Sequence, residues 1–525
     1  MKSKIRQHLA ALLILASLIF ITFLPCLKNN FVYWDEDQFL LKDPLIKDFT
    51  LSGFIHLFDP HTIGQSVPAS IYSSAASYIP LTLLSYSVEY HFFQFNPFIY
   101  HLDNLILHIL NAILVYSLIY LLIENIEIAF ITALFFGIMP LRVESVAWVM
   151  ERKDVLFAFF YLSGLILYIR YLKSNSLEYF LGTAALFIYS LFAKPQGLSF
   201  PLTLLLIDYY FKRNLSRALI LEKAVFLFLN VVFWLLFLKD LSQVSLSAHG
   251  ATIELASYTL VLYLIKSFVP FGLSCINPVP GLTNGFFPWT VYASIGLVAF
   301  AAWWVVKYFS KNQREIFCLL FYIVLMILPI LNMEFVHPTD TQFNHLLFYE
   351  HYTYLPCIGL YFLFAMLFVK YKILPVQLRD LILFSVTVYV LLMGWISLER
   401  CGVWKDGIAL WSDAIDHASL KDPVYVLAYI NRGNLYNVQG KFDEALYDYN
   451  QAIDLDAQYP ESYANRGVIY GKNGEFLNAL ADFNRAIQLN PHLASAYFDR
   501  AVTYMKLGNP NQARIDYQRF QQLNT

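Results

Sequence analysis

The chain has 525 residues, of which 14% are charged and 58% are hydrophobic. An ordinary soluble protein carries roughly 25% charged residues, so this composition excludes a water-soluble globule and indicates a protein that crosses a membrane several times. The net charge of −2 offers no basic surplus for phosphates and argues against a nucleic-acid partner. The five cysteines lack CxxC spacing and predict neither a disulfide framework nor a zinc site.

Long apolar stretches alternate with short polar breaks over residues 1–400, which we predict to form one multi-pass membrane domain. A helix needs about 20 residues to cross the hydrocarbon layer. On that basis about eleven crossings are predicted, near 8–26, 98–123, 128–142, 154–172, 177–193, 197–211, 218–238, 287–308, 315–332, 354–370 and 379–398. Two further stretches, 78–94 and 253–270, either cross the bilayer or lie at its surface.

The basic residues predict how these helices are oriented in the membrane. Lys2, Lys4 and Arg6 precede the first stretch, which places the N-terminus in the cytoplasm by the positive-inside rule. The later basic clusters face the same side only if 78–94 and 253–270 do not cross. Eleven crossings then put the C-terminus on the periplasmic, luminal or extracellular side.

The first outer loop begins with an acidic motif, Phe31-Val32-Tyr33-Trp34-Asp35-Glu36-Asp37. In an extended chain Asp35 and Asp37 share one face while Glu36 points away. Such a carboxylate pair suits a general base or a divalent metal, so we expect Asp35 and Asp37 to matter more than Glu36. A solvated acidic turn is the alternative interpretation.

A second charged cluster follows in residues 140–154, also on the outer side. Arg142, Arg152 and Lys153 stand there against the positive-inside bias, and Lys194 enters from the same side. A phosphate or pyrophosphate ligand at the membrane surface would account for these cations. Local pairing with the acidic residues of the same block is the alternative.

The predicted helix over 98–123 carries a polar stripe. His101, Asn104, His108 and Asn111 are spaced so that they share one helix face. The stripe predicts either hydrogen bonds to neighbouring helices or contact with a ligand in a cavity.

From residue 428 the sequence repeats every 34 residues. Asn431-Arg432-Gly433 recurs as Asn465-Arg466-Gly467 and as Asp499-Arg500-Ala501. Equivalent glycines, alanines and aspartates recur in step: Gly440, Gly474 and Gly508; Ala445, Ala479 and Ala513; Asp448, Asp482 and Asp516. This resembles the tetratricopeptide repeat, and with a helical lead-in it predicts a second domain over 404–525.

Repeats of this kind form solenoids that bind peptides or proteins. The first helix of each pair lines the concave groove, where Asn431, Asn465 and Asp499 occupy the same position in successive repeats. An asparagine amide both donates and accepts hydrogen bonds, so this row is predicted to hold the backbone of an extended acceptor chain. The alternative is that these residues merely solvate the helix surface.

Several segments together resemble one known family: the 31–37 motif, the 140–154 block, Lys194-Pro195, Tyr352 to Pro356, and Val403 to Asp406. These match the transmembrane and tetratricopeptide repeat-containing proteins, GT-C glycosyltransferases related to protein O-mannosyltransferases. The resemblance covers essentially the whole chain. It implies an all-α, GT-C-like helix bundle followed by a repeat solenoid. It also implies inverting transfer of a sugar from a polyprenyl-phosphate lipid to protein Ser or Thr at the outer face.

The resemblance also implies roles for residues. The acidic loop, Asp35, Glu36 and Asp37, would be catalytic, and Glu144 would orient it or the acceptor. The donor phosphate would be held by Arg142, Arg152, Lys153, Lys194 and His351. No cofactor is identified, and a divalent metal at Asp35 and Asp37 stays open.

This chain departs from the family pattern at two positions. Met139 precedes Pro140 where the family usually has histidine, and His351 precedes Tyr352 where it usually has arginine. A histidine grips phosphate as a cation only when it is protonated, near or below pH ~6.5.

Two other functions stay open at this stage. A non-catalytic membrane scaffold would use the repeats to recruit a partner. A transporter or flippase would use Asp103, Asp208 and Lys266 along its pathway, since charged residues in apolar surroundings mark such routes.

Overall fold

The computed structural model describes residues 2–60, 62, 78–238, 253–278, 280, 286–308, 311, 313–331, 335–336, 345–346, 349–417 and 423–523. The chain divides into two compact units. The membrane unit comprises 1–273, 280–333 and 349–405, and the repeat unit comprises 274–279, 334–348 and 406–525. Trp404 and Lys405 lie in the membrane unit. The last segment of the repeat unit begins at Asp406.

The described part of the membrane unit is built from α-helices. They are α1 Lys2–Phe23, α2 Pro44–Lys47, α3 Leu51–Phe58, α4 Pro80–Phe93, α5 Pro97–Ile123, α6 Ile126–Ile138, α7 Val143–Ala147, α8 Arg152–Ser174, α9 Leu177–Ala193, α10 Phe200–Tyr210, α11 Arg217–Phe233, α12 Ile253–Lys266, α13 Trp289–Tyr308, α14 Gln313–Leu331, α15 Cys357–Phe368 and α16 Val376–Cys401. The strands described are two residues long and lie in the repeat unit, where Phe335–Val336 pairs antiparallel with His345–Leu346. The prediction of an all-α fold is confirmed.

Six helical segments among the described residues are long and apolar enough to cross a membrane. They are Ser3–Lys28, Pro97–Ile123, Val149–Ser174, Arg217–Leu236, Trp289–Lys307 and Val376–Cys401. A seventh is added if α6 and the segment Pro140–Ala147, bent by 61°, count as one span. The protein is thus an integral, multi-pass membrane protein, but this count does not confirm about eleven crossings.

The difference arises because several predicted crossings form helices that are too short. Helix α10 has 11 residues and α15 has 12, where the sequence predicted crossings of full length. The two ambiguous stretches form α4 and α12, each of 14 residues. Fourteen residues span about 21 Å, which is less than the roughly 30 Å hydrocarbon layer.

The bend between α6 and α7 positions much of the candidate site. Proline lacks a backbone N–H and disfavours a helical residue before it, and Met139 before Pro140 is accordingly extended. The chain then makes a 3₁₀ turn, the short helix α7 and a second turn, Val149–Glu151, before α8 begins. This irregular passage turns the 140–154 block into the interior, where most of its charged side chains are buried.

The repeat unit contains the predicted helix pairs. Its helices are α17 Gly407–Asp416, α18 Val426–Val438, α19 Phe442–Leu455, α20 Pro460–Lys472, α21 Phe476–Leu489, α22 Ala494–Lys506 and α23 Pro510–Leu523. The glycine after the first helix of each pair adopts a left-handed φ of 73° to 83°, a conformation that glycine adopts without strain. Gly467 lies where a Cβ would come 2.9 Å from the Phe483 ring, so a larger residue there would require the ring to shift.

Each pair is also joined by a bidentate ion pair. Arg466 donates from Nε and Nη2 to Asp482, both at 2.8 Å, and from Nη1 to Asn450 of the preceding repeat. The same geometry joins Arg432 to Asp448 and Arg500 to Asp516. The recurring Arg and Asp of the sequence pattern are therefore partners that stabilise the solenoid.

Candidate active site

The acidic motif, residues 31–37, is not extended. Tyr33 adopts a left-handed φ of 55°, and residues 37–41 form a single π-helical turn. The prediction that Asp35 and Asp37 share a face is wrong, because it assumed an extended segment. Asp37 instead contacts Lys42 near the surface.

Glu36 points inward rather than away. Its side chain is 1% exposed, and its Oε2 accepts a hydrogen bond of 3.1 Å from the Trp34 backbone N–H. Burial raises the pKa of Glu36 to about 7. Because it closes a turn within its own loop, this geometry favours a role in shaping the loop.

Asp35 is the member of the motif that faces the charged block. Burial raises the pKa of its carboxyl group, and the nearby charges of Lys153 and Glu151 act on it in opposite directions. Lys153 and Glu151 are thus the charged groups of the 140–154 block whose fields act on Asp35.

Lys153 and Lys194 share a buried pair of carboxylates. Lys153 Nζ lies 2.9 Å from Glu151 Oε1, while Lys194 Nζ contacts Asp154 and lies 3.9 Å from Glu151 Oε2. Glu151 and Asp154 are both at most 2% exposed. Charges removed from water in this way are kept by mutual pairing, so the cluster holds two ammonium groups in fixed positions.

Glu144 binds the 3₁₀ turn Glu350–Thr353. Its Oε2 accepts from the Glu350 backbone N–H at 3.1 Å, and its Oε1 lies 2.7 Å from Nδ1 of His351. Glu144 and the turn are buried together. The structure thus brings Glu144 to His351 and to the backbone of the same turn.

His351 is poorly suited to hold phosphate as a cation. Burial lowers its pKa well below 6.5, and the positive charges of Lys194 and Lys153 act in the same direction, against the opposing effect of Glu151. The ring is therefore neutral at physiological pH. The role of a charged donor-phosphate contact, which the family arginine would supply, does not transfer to this position.

Arg142 also binds the 350–353 turn. Its guanidinium donates to the Thr353 backbone oxygen at 3.0 Å and to Thr353 Oγ1 at 2.6 Å, and it lies over the Tyr354 ring. The residue is completely buried. This places Arg142 in the protein interior as a support for the turn, away from a position open to phosphate.

The guanidinium of Arg152 is likewise hydrogen-bonded to other residues of the protein. Its guanidinium donates to Glu89 Oε1 at 2.7 Å, to Asn104 Oδ1 at 2.6 Å and to the Tyr100 backbone oxygen at 2.7 Å. It lies over the Tyr86 ring and is 1% exposed. Of the five predicted phosphate ligands, Lys153 and Lys194 are the two that the structure brings together, at the carboxylates of Glu151 and Asp154.

The polar stripe of α5 supports the same region. Asn104 donates to the backbone oxygens of Val146 and Trp148, and Asn111 donates to that of Val155. His108 contacts the Gly137 backbone oxygen. The stripe thus fixes the irregular 140–154 passage against α5 by hydrogen bonds between elements.

Within the described part of the chain, one group of side chains has the spacing of a metal site. Ligand atoms of Glu151, Asp154 and His351 lie within 4.8 Å of one another. Lys153 and Lys194 already neutralise these carboxylates, so a dication would have to compete with two ammonium groups. The predicted metal pair, Asp35 and Asp37, forms no such group within the same described residues.

A small cleft with a cavity volume of about 10 Å³ lies beside this cluster. Asp154, Gln196 and His351 supply polar lining, while Tyr352 and Leu355 supply apolar surface. Lys194 Nζ lies over the Tyr352 ring at 5.5 Å from its centre, at the edge of the same cleft. A cavity of this size holds about one water molecule.

Three tryptophans form a stack next to the acidic motif. The rings of Trp34 and Trp148 stack at 4.7 Å between centres, and those of Trp148 and Trp404 at 5.5 Å. The Asn30 backbone N–H also donates to the Lys405 backbone oxygen at 2.8 Å. The acidic loop is therefore fixed to residues far along the chain, which the sequence pattern did not predict.

The predicted acceptor row lies in the repeat unit, on helices that contact one another. Asn431, Asn465 and Asp499 occupy α18, α20 and α22, whose neighbours pack side by side. Asn465 donates to Asn434 of the preceding repeat at 3.1 Å, and burial raises the pKa of Asp499 to about 6. The three residues thus occupy equivalent positions. Their side chains are not equally available to a ligand, because the Asn465 amide is already bonded to Asn434.

Comparison with known proteins adds an independent observation. Tetratricopeptide repeat family models match residues 433–474, 460–493 and 494–525. A Caenorhabditis elegans relative is 24% identical over 472 residues, covering 87% of this chain and 64% of its own length. Human TMTC1 is 32% identical over 132 residues, covering 22% of this chain and 15% of its own. These relatives are named protein O-mannosyl-transferases.

The predicted resemblance is confirmed by these relatives, and tetratricopeptide repeats are present at the end of the chain. The chain spans less than two thirds of the length of the relatives it matches. Among solved structures, ArnT from Cupriavidus metallidurans, bound to undecaprenyl phosphate, covers 94% of this chain and 81% of its own, at 11% identity and a TM-score of 0.38. A repeat domain of Spaghetti (RPAP3) covers 20% of this chain and 84% of its own, at 32% identity and a TM-score of 0.19. Such scores do not establish a common fold for the whole chain.

Proposed function

We propose that this protein is a membrane glycosyltransferase that moves a sugar from a polyprenyl-phosphate donor to Ser or Thr of a protein acceptor. One observation carries the proposal: the ammonium groups of Lys153 and Lys194 gather at the buried carboxylates Glu151 and Asp154, and the charge of Lys153 acts on the carboxyl group of Asp35. A proton acceptor and two phosphate-binding cations are the groups that this transfer needs. The names of the sequence relatives support mannose as the sugar.

The transfer is a single displacement with inversion at C1 of the sugar. The acceptor hydroxyl oxygen forms the new bond to C1 while the bond from C1 to the phosphate oxygen breaks. The hydroxyl proton passes to the Asp35 carboxylate. The lipid phosphate leaves with the bonding electrons, and Lys153 and Lys194 stabilise its growing negative charge.

The direct test is transfer by purified protein in lipid nanodiscs. We expect radiolabelled mannose to pass from a polyprenyl-phosphate donor to a Ser- or Thr-containing protein, with no label released without acceptor. Absence of transfer from every polyprenyl-phosphate sugar offered would contradict the proposal. It would favour the scaffold, in which the repeats recruit a partner without chemistry.

The transporter alternative has less support. Asp208 lies 2.9 Å from Arg213 and 2.6 Å from Lys223, so its charge is neutralised in a closed network. Lys266 donates to the Gly272 backbone oxygen.

We further propose that the site and the repeats face the outer side of the membrane. The proposal rests on the basic residues before α1 and on the parity of the predicted crossings. A reporter enzyme that folds only in the cytoplasm, fused after residue 525, is expected to be inactive. High activity would reverse the orientation and would remove Asp35 from the outer face.

The repeat groove is proposed to hold the acceptor protein. Replacing both Asn431 and Asn465 with alanine is expected to weaken use of a full-length acceptor about 30-fold, at about 1 kcal/mol for each of the two lost hydrogen bonds. Transfer to a short peptide that cannot reach the groove should change little. Asn478→Ala, on the second helix of a pair, is the matched control. Unchanged use of full-length acceptor by the double variant would exclude this groove as the acceptor site.

A further inference from the structure

Helix α3 is apolar on two of its sides. Gly53 and Leu57, one turn apart, are buried against the rest of the protein. Leu51, Phe54 and Ile55 have the i, i+3, i+4 spacing of a second face, and their side chains are 45–78% exposed. In water this second face would leave apolar surface hydrated, at a cost of about 25 cal/mol for each Å².

The third side of α3 is polar. Ser52 and His56 are exposed and, at 3.6 residues for each helical turn, lie on a different side from the exposed apolar face. An exposed apolar face beside an exposed polar face is typical of helices that lie in the plane of a membrane surface. Helix α3 has eight residues and is about 12 Å long, so it is too short to cross the hydrocarbon layer.

Aromatic contacts join the start of α3 to the end of α4. The ring of Phe49, two residues before α3, stacks on that of His91 at 4.2 Å between centres and meets the Phe92 ring edge-on at 6.4 Å. Phe92 and Phe93 are themselves more than half exposed. The exposed apolar side chains of this region, which we call the apolar patch, are Phe49, Leu51, Phe54, Ile55, Phe92 and Phe93.

The apolar patch is continuous with the lipid-facing side of α5. That helix is long and apolar enough to cross a membrane, and it begins at Pro97, four residues after Phe93. Phe98, Ile106 and Leu110 are exposed along one side of α5, away from its buried polar stripe. The 27 residues of α5 span about 40 Å, more than the roughly 30 Å hydrocarbon layer, so its ends reach the membrane surface.

The rim of the apolar patch carries a cation. Lys47 is exposed, and its Nζ lies over the Phe95 ring at 5.6 Å from the ring centre. Lysine side chains at a membrane surface place their methylene groups along apolar surface and their ammonium group among the lipid phosphates. Aromatic rings are enriched at the same level of the bilayer. The rim and the patch together thus match the composition of a membrane surface contact.

We propose that the apolar patch is inserted into the lipid leaflet at which α5 begins. Helix α3 lies along the membrane surface, with the face of Leu51, Phe54 and Ile55 toward the acyl chains. Ser52 and His56 then face the water. The partner of this surface is the lipid bilayer itself, and the contact does not depend on whether the protein transfers a sugar.

The insertion would hold the acidic motif at the depth of the lipid headgroups. Phe49 follows Asp37 by twelve residues, and α4 is joined to the 140–154 block by the ion pair of Glu89 with Arg152. Segments on both sides of the site would thus be fixed relative to the membrane surface, where the phosphate of a lipid-linked donor lies. This consequence, unlike the insertion, rests on the proposed function.

The test adds one cysteine at a time to α3 of the full-length protein, reconstituted at one copy for each lipid nanodisc. Phe54→Cys and Ile55→Cys lie on the apolar face, and Ser52→Cys and His56→Cys on the polar face are the matched controls. Each cysteine is labelled with an environment-sensitive fluorophore. The five native cysteines are buried, and unsubstituted protein treated in the same way measures their background.

Two quenchers then locate each probe: a lipid with a spin label near the top of its acyl chain, and iodide in the water. We expect the spin-labelled lipid to quench the probes at Phe54→Cys and Ile55→Cys about threefold more than those on the polar face, and iodide to show the reverse order. Because all four replaced side chains are exposed, each variant should keep the Tm of the unsubstituted protein, which thermal unfolding checks.

Two results would overturn the insertion. Equal quenching at all four positions, or stronger quenching by iodide on the apolar face, would show that this face is in water. Protection of Phe54→Cys and Ile55→Cys from both quenchers would show that protein covers it. Neither result bears on the proposed function, because quenching is read without donor or acceptor, and absence of sugar transfer would leave the insertion in place.

Discussion

Asp35→Asn is expected to lower the rate of sugar transfer by a factor of about 10² to 10⁴, the usual cost of removing a general base. The amide retains the size of the side chain but cannot take the acceptor proton. Burial raises the pKa of Asp35, and the base works only when ionised. Wild-type activity should therefore fall with decreasing pH before an ordinary aspartate, of pKa about 3.9, would be protonated. The measurement is kcat/KM for donor and acceptor as a function of pH.

The same loop provides the matched control. Asp37→Asn makes the identical chemical change two residues away, on a side chain that contacts Lys42 near the surface. We expect Asp37→Asn to retain most activity, with expression and thermal stability of both variants close to wild type. An equal loss in both variants would show that the loop acts as an acidic unit and that the geometry of Asp35 is not decisive.

Arg152→Met is expected to destabilise the membrane unit by about 3–5 kcal/mol, because it leaves Glu89 buried without its cation. The guanidinium is 2.7 Å from Glu89 Oε1 and almost fully buried. Adding Glu89→Leu should recover much of the loss, since an apolar pair of similar volume carries no unpaired charge. Thermal unfolding in detergent, read as the shift in Tm and in the half-life on heating, measures both variants.

The control for this prediction lies on the same helix. Lys173, in the last turn of α8, is 3.9 Å from Glu124, and both side chains are largely exposed. Such a surface pair contributes about 0–1 kcal/mol, so Lys173→Met should change Tm little. If Arg152→Met kept normal stability and lost donor binding instead, Arg152 would be a phosphate ligand, as its position in the sequence had predicted.

Regular spacing made part of this structure predictable. The 34-residue period located the helix pairs, and the spacing of His101, Asn104, His108 and Asn111 placed one stripe on one face of α5. Both patterns depend on local geometry, because a helix fixes which residues share a face. The length of apolar stretches was less informative, since it cannot separate a crossing from a shorter helix buried in the bundle.

The partners of Arg142 and Arg152 could not be predicted from the sequence. Arg142 is held by Thr353, 211 residues away, and Arg152 by Glu89, 63 residues away. The sequence predicted that these arginines bind phosphate or pair with acidic residues of their own block, whereas the fold supplies polar partners from distant segments. The prediction that Asp35 and Asp37 act as a pair failed for a similar reason. The conformation of the loop depends on the tertiary contacts of Trp34 and Glu36, and no short-range sequence pattern encodes these contacts.

The stacked rings of Trp34, Trp148 and Trp404 provide an intrinsic spectroscopic signal. Indoles in face-to-face contact exchange excitation, which gives a circular dichroism signal that separated tryptophans lack. Trp34 immediately precedes Asp35, and Trp404 lies two residues before the repeat unit begins. Any movement that draws either end of the stack away from Trp148 would change that signal. The geometry of the acidic loop can therefore be followed in solution without an added label.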